Sequence, residues 1–395
     1  MRTEARGSEP SFLRGGEPNI FRRRRFCSTS FAPALPSLSR SFFPFPIVKK
    51  KLLIAGAVLV LLGLVAAGAG YWVAFSDNTT GYEGERGVKI PSGASFSTLL
   101  DSLEQNGILE SRRTMRWFGQ VTGWGGQVKA GYYRIADGAS NWSMLDDIRK
   151  GLQSQVRIAI PPGTRPEVAA AVAARNMAFD EKDFLDALNS DSLAQALGTD
   201  TTHLFGYLMP NTYSAYWLNA PERIIKKARE QFGTFWTEAR ARRADSLGLT
   251  RDEVVTLASI IQWETGLGGE LPTMAGVYLN RLDQGMPLQA DPTVQYAVIQ
   301  NEGQKRRLLY EDYQIQHPYN TYQIAGLPPG PVTNPSTKAL EAVLNREKHD
   351  YLYAVATGRG GHYFNETLAE HNRDVRRFRQ TRDSLQRASK ADTAR

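Results

Sequence analysis

Apolar and polar positions change texture several times along this chain. From Leu52 to Ser76 no charged residue interrupts an apolar run that opens LLIAGAVLVLLGLVAAGAGYWVAF. About 20 apolar residues suffice to cross roughly 30 Å of hydrocarbon, so the run predicts a transmembrane helix over residues 52–75. Beyond it the segments are short. Val88-Lys89-Ile90 alternates as a strand does, and Pro91-Ser92-Gly93 breaks it. Ser95 then suits the N-cap of a helix on which Phe96, Leu99, Leu100 and Leu103 recur at helical spacing. Asn106-Gly107 stops that helix. A second follows Ser111 and carries Met115, Trp117, Phe118 and Val121 towards Gly123, and Lys129 to Ile135 alternates again.

Strand, helix, helix, strand in that order resembles a LysM-type sugar-binding module, and it predicts such a subdomain over residues 85–160. Its opening phrase, Ile90-Pro91-Ser92-Gly93-Ala94-Ser95, is echoed by Ile160-Pro161-Pro162-Gly163-Thr164-Arg165. Both predict a strand, a turn and a helix. A connecting helical segment is expected over 161–200. From 201 to 385 helices separated by long Pro-, Gly-, Asn- and Tyr-rich loops predict a mainly helical α+β domain of the kind in which loops carry binding residues. A charged C-terminal helix from Thr367 is expected to fray after Leu385, leaving 386–395 as a tail. The predicted fold class is therefore α+β behind a single N-terminal transmembrane helix.

Charge changes the picture only once it is located. The 395 residues carry a formal net charge of +8, which would suit a nucleic-acid partner. All of it lies in residues 1–51, where eleven Lys and Arg face three acids; residues 52–395 hold 37 basic and 37 acidic groups. The leader, with Arg22 to Arg25 and a Pro/Ser/Phe-rich stretch, reads as disordered. A translation start near Val48 is the alternative reading of it. Lys49-Lys50-Lys51 directly before the apolar run places the leader in the cytoplasm and the rest of the chain outside, by the positive-inside rule. Ala67-Gly68-Ala69 resembles a cleavage site, but the run exceeds the roughly 7–15 residues of a signal-peptide core, which favours an uncleaved anchor. The one cysteine, Cys27, precedes the span, so the exported part has no disulfide. The five histidines show no metal-ligand spacing, and there is no GxSxG, P-loop or dinucleotide fingerprint.

The most informative segment is Thr250 to Gly266. Thr250 with Glu253 forms a capping box, and Gly266 is a candidate C-terminal stop. Val254, Leu257, Ala258, Ile260 and Ile261 form an inward stripe, and Glu264 falls on it, four residues from Ile260 and three from Ile261. Desolvation and the negative end of the helix dipole both disfavour a charged carboxylate there, as a general acid near neutral pH requires. A Glu in a last turn can equally rotate into solvent, and the helix alone leaves the two readings even. Downstream, Asp291-Pro292 suits a helix N-cap followed by Pro at the first helical position. The loops beyond supply amide and hydroxyl groups interleaved with aromatic rings, which suits a polyhydroxylated ligand such as a glycan.

The ordered strings ASIIQWET, NRL, LQADPTVQY, YNTY, GLPPGPVTNP, YLYAVA and GGHYFN with EHN, together with the earlier FGYLMPNTY, resemble the MltG-type (YceG-like) endolytic murein transglycosylases from about Gly87 to about Phe378. The resemblance implies an inner-membrane enzyme that cuts nascent peptidoglycan glycan strands internally on the periplasmic side, beside peptidoglycan synthases. Glu264 falls on the family's catalytic glutamate. Asn280, Gln289, Asp291, Thr293, Asn320, Tyr322 and His362 fall on blocks that line or brace the cleft. Phe205 stands where the family commonly has an acid, Asn211 where Asp is usual and Gln262 where Glu is frequent, which leaves Glu264 as the only acid in its turn.

Glycosidases ordinarily use two carboxylates. A lytic transglycosylase needs one and neither metal nor organic cofactor, because the muramyl C6 hydroxyl is the nucleophile that closes a 1,6-anhydro ring. Two alternatives stay open: a hydrolase that uses Asp291 as its second acid, and a non-catalytic glycan-binding scaffold.

Overall fold

A computed structural model describes residues 47–393; the sequence reading of the leader lies outside them. Two compact units divide the chain at Val65. The described part of the first, residues 47–65, belongs to α1 (Ile47–Phe75), a helix that rises about 44 Å at 1.5 Å per residue. From Leu52 on it is apolar all round, and Leu52, Leu53, Leu59 and Val60 are exposed, the pattern of a helix whose surroundings are themselves apolar.

The second unit, from Ala66 onwards, holds three hydrophobic cores in chain order. In the first, β1 (Glu85–Ile90) pairs antiparallel with β2 (Gly131–Ala136), Val88 opposite Tyr133. Both strands turn alternate residues inward. Helices α2 (Phe96–Gln105), α3 (Arg112–Val121) and α4 (Asn141–Lys150) join them around Leu99, Leu103, Met115 and Ile148. Ser95 caps α2 as its position predicts. On α3 only Met115 and Phe118 of the four expected apolar residues turn inward; Trp117 and Val121 are exposed. The last turns of α1 pack here, with Ala74 buried and the Asn141 amide donating to the Val73 carbonyl at 2.7 Å.

The second core is built on β3 (Gln155–Ile160) and β4 (Asn211–Tyr216), paired antiparallel with Ile158 opposite Tyr213. Helices α5 (Pro166–Ala174), α6 (Glu181–Leu188), α7 (Asp191–Ala196) and α8 (Thr201–Leu204) lie between the strands in sequence, and α9 (Pro221–Phe235) follows. The echoed turn recurs in space: Gly93 and Gly163 occupy the same place after their strands, at φ 74° and 67°, values that favour glycine. This core joins β3, at the end of the segment read as the LysM-like module, to β4 beyond residue 201, across both sequence-derived boundaries.

The third core surrounds α11 (Arg251–Glu264), reached through α10 (Glu238–Ser246). Residues 254 to 261 of α11 are all buried, so the expected stripe is in fact the whole circumference. Around it stand α12 (Leu271–Asp283), α13 (Asp291–Glu302) and α14 (Thr337–Leu344). The GLPPGPVTNP loop is tied to α11 by the Val332 N–H on the Ser259 hydroxyl (2.9 Å), and to the echoed turn by the Asn334 amide oxygen, which accepts from the Thr164 N–H (2.9 Å). A hairpin of β5 (Tyr353–Ala356) and β6 (His362–Asn365) carries α15 (Leu368–Thr393). That helix runs past Leu385, where the charge pattern led us to expect fraying.

Candidate active site

The capping box of Thr250 and Glu253 starts α11, with the Glu253 N–H on Thr250 Oγ1 (3.2 Å) and the Thr250 N–H on the Glu253 carboxylate (2.7 Å). The helix stops not at Gly266 but one residue earlier. Thr265 turns extended (φ −126°, ψ 131°) while its N–H still reaches the Ile261 carbonyl, so Glu264 ends the last helical turn. A helix held on every side therefore presents a carboxylate at its C-terminal end.

That carboxylate stands in the wall between two cavities. The outer is a cleft of about 840 Å³ lined also by Trp263, Asp291, Gln295, Lys305 and Tyr313, with Phe378 and Arg382 from α15. The inner is a chamber of about 180 Å³ lined by Tyr278, Arg281, Gln289, Tyr322, Tyr353 and His371. Glu264 Oε2 is inaccessible and finds no hydrogen-bond partner among the described residues. Burial, and secondarily the negative charge of Asp291, raise the Glu264 pKa from 4.5 to about 7. The group can thus give a proton and take one back near neutral pH.

Asp291 does not cap α13. Ala290 occupies the cap position and makes no side-chain cap bond, and Asp291 is the first helical residue. Its carboxylate instead accepts the Tyr322 hydroxyl (2.8 Å) and the Tyr313 hydroxyl (3.4 Å), whose rings meet edge to face at 4.7 Å. Burial, then the Asp291 charge, push the Tyr313 hydroxyl up to about 12 and Tyr322 beyond its ordinary range, so both remain protonated donors. Asp291 followed directly by Pro292 suggests a cap because the capping pattern is local, whereas the tyrosines come from a loop some distance along the chain.

The other predicted residues divide into lining and bracing groups. Gln289 and Tyr322 line the inner chamber with Glu264. Gln289 is the non-glycine residue held at positive φ (51°) among those described, fixed by its N–H on the Thr321 carbonyl. Thr293 is fully buried and lines neither cavity: its hydroxyl donates to the Ala290 carbonyl (2.7 Å) and meets the Thr321 hydroxyl (2.8 Å). Asn320, equally buried, gives its amide to the Tyr313 and Ile315 carbonyls and accepts from the Tyr322 N–H. These two hold the loops that carry the tyrosines. Asn280 works on another side, donating to the carbonyls of His349 (2.7 Å) and Tyr351 (3.0 Å) and accepting from Arg346. His362 lines neither cavity. Its N–H and imidazole hold the two oxygens of Glu270 (2.9 and 2.8 Å), and Glu270 also accepts from Thr265, the residue after Glu264. Burial alone would raise Glu270, but these bonds hold it below its ordinary value.

The sequence reading missed Tyr278, Arg281, Tyr313 and His371. Arg281 lay inside a quoted motif, NRL, where its neighbour Asn280 drew attention; Tyr313 belongs to a polar loop with no periodicity. Tyr278 sits one turn from Arg281 on α12, and nothing in spacing separates it from the buried Val277 and Leu279 beside it. Gln262, which stands where an acid is frequent, accepts the Ser336 N–H (3.2 Å) and so pins the start of α14 without a charge.

The YceG-like family model matches residues 88–377. The chain is 29% identical over 314 residues to the endolytic murein transglycosylase of Bacillus subtilis, covering 74% of this chain and 84% of that protein. It is 28% identical over 323 residues to the endolytic murein transglycosylase of Streptococcus pneumoniae, covering 73% of this chain and 57% of that one. A crystal structure of a yceG-like protein from Listeria monocytogenes superposes with a TM-score of 0.52 at 26% identity, over 73% of this chain and 98% of the other.

Proposed function

Because the chain belongs to the YceG-like family, we propose that it is an endolytic murein transglycosylase, the activity its relatives are named for, with Glu264 as its single acid–base. One observation carries this reading. A carboxylic acid with a pKa near 7 and a buried, unpartnered oxygen stands in the wall of a large cleft, and the other acid lining that cleft is occupied by two tyrosine hydroxyls.

The reaction follows from that pair. Protonated Glu264 gives its proton to the oxygen between N-acetylmuramic acid and N-acetylglucosamine, and the muramyl C1–O bond breaks. Positive charge then develops on the muramyl ring, where Asp291 supplies the complementary field. The C6 hydroxyl attacks C1, Glu264 as carboxylate takes the hydroxyl proton, and a 1,6-anhydro ring closes. The proton count returns to its start, and no water enters the products. Gln289, Tyr322 and Gln295 supply hydrogen bonds that orient the sugars, the kind of positioning that makes an internal nucleophile effective. Asn280, Thr293, Asn320 and His362 act behind them, as braces.

A hydrolase needs its second carboxylate free to bind water or attack. Asp291, with a tyrosine on each oxygen, is better suited to a fixed charge. Helix α1 is the anchor; Lys49 to Lys51 keep the leader cytoplasmic, so the enzyme works on the periplasmic side of the inner membrane beside peptidoglycan synthases. The βααβ module of the first core is LysM-like and adds contacts to the glycan.

The test is digestion of isolated cell wall by the wild-type chain and by Glu264→Gln, with product masses. Anhydro-muramyl ends that vanish in the variant are expected; free reducing ends would point to the hydrolase. Equal release by both proteins would mean that Glu264 is not catalytic, and release by neither would leave the scaffold.

A further inference from the structure

The inner chamber contains a cation that nothing neutralises. Arg281 is only 7% exposed, and no carboxylate pairs with it among the described residues; the titratable groups around it are the hydroxyls of Tyr278, Tyr322 and Tyr353, the imidazole of His371 and, in the same chamber wall, Glu264. Two of its five N–H groups are used, on the Leu288 carbonyl and on Gln289 Oε1 (3.2 Å). Its buried Nε has no partner, and neither has Nδ1 of His371 across the same chamber. An uncompensated buried guanidinium is costly to the fold, and burial pulls its pKa below the usual value. Glu264 shares the chamber wall with Arg281 but makes no ion pair with it, and the groups that move its pKa are burial and Asp291.

We propose that Arg281 and His371 make the inner chamber a carboxylate-binding subsite that reads the acidic substituent of the muramyl residue whose bond Glu264 breaks. The three N–H groups left over, Nε–H among them, belong to a rigid planar fork of the kind that fits a carboxylate. At roughly 30 Å³ for each water-sized group, 180 Å³ accommodates about six heavy atoms, the size of a lactyl carboxylate and far less than a sugar ring. The proposal rests on a muramyl glycan being the substrate, where N-acetylglucosamine is neutral and only muramic acid brings a carboxylate. That group is the lactyl carboxylate itself on a bare strand, or a carboxylate of the stem peptide on a substituted one.

The experiment measures binding to the full-length Glu264→Gln chain, so it does not depend on turnover. Three probes are compared by calorimetry: a muramyl tetrasaccharide with free lactyl carboxylates, its methyl amide, and the same saccharide bearing the dipeptide L-Ala-D-Glu. The acid binding about tenfold tighter than the methyl amide assigns the lactyl group; the dipeptide form binding tighter than the amide by that factor assigns the stem. In either case, adding Arg281→Gln abolishes the preference, His371→Gln reduces it, and Arg281→Lys retains part of it. Equal binding of all three probes, or a uniform loss on Arg281→Gln, overturns the proposal. If Arg281→Gln does not fold, the comparison of probes on the Glu264→Gln chain still decides. Wild-type digestion that gave no anhydro ends would count against the transglycosylase reading alone.

Discussion

At the scale of single residues, the role proposed for Glu264 ties catalysis to stability through one proton. Its pKa is higher in the folded chain, about 7, than the ordinary 4.5, so the folded state binds the proton more tightly. Stability is therefore full below about pH 4.5 and falls as pH rises through 7. Gln cannot ionise. Glu264→Gln should stabilise the fold at pH 8 by up to a few kcal/mol, at about 1.4 kcal/mol per pKa unit, read as a higher melting temperature, and the gain should vanish near pH 4. The same substitution should lower kcat by roughly 10²–10⁴-fold. Since the reaction starts from protonated Glu264, activity should fall as pH rises through its pKa. Asp291→Asn removes the charge that helps raise that pKa, and the falling limb of the pH–rate profile should move to lower pH. An unshifted limb would remove Asp291 from the electrostatics of the site.

At the scale of elements, the structure depends on side chains that tie loops to helices. Asn280 makes three such bonds, two from its amide and one to its oxygen. Asn280→Ala should cost about 1–3 kcal/mol, seen as a lower melting temperature, and leave the pH–rate limb in place. Asp374 on α15 is buried and accepts from the Asn365 amide at 2.9 Å, which seats that helix on the hairpin. Asp374→Ala should lower kcat/KM because α15 lines both cavities, with protease sensitivity between residues 366 and 390 as the accompanying readout. What was legible beforehand is whatever is local: the capping box of α11, the Ser95 cap of α2, the glycine turns at 93 and 163, and Glu264 on its stripe. What was not legible depends on distant partners. Asp291 looked like a cap until tyrosines from another loop claimed it. His362 looked like a cleft residue although it serves Glu270, and Arg281 acquires meaning only from the carboxylate it lacks. The pairing of β3 with β4 is equally non-local and carries no signal in either strand.

At the scale of the whole molecule, the proposed reading gives location to the apolar helix and chemistry to the three-core body. Replacing residues 52–75 by a cleavable export signal should free the protein into the soluble periplasmic fraction and leave its kcat on isolated cell wall unchanged. Loss of activity in the released form would mean that the helix does more than anchor.

The cleft of Glu264 is closed on one side by Phe378 and Arg382, and the chamber behind it by His371, all on α15. A ribosome makes these residues more than a hundred positions after the glutamate they enclose, and domains otherwise begin folding from their N-terminal parts as the chain emerges. The acid can therefore be made while its enclosure is still unsynthesised. The completed cleft therefore comes last: a chain that still lacks α15 carries Glu264 without Phe378 and Arg382 beside it and without His371 behind it.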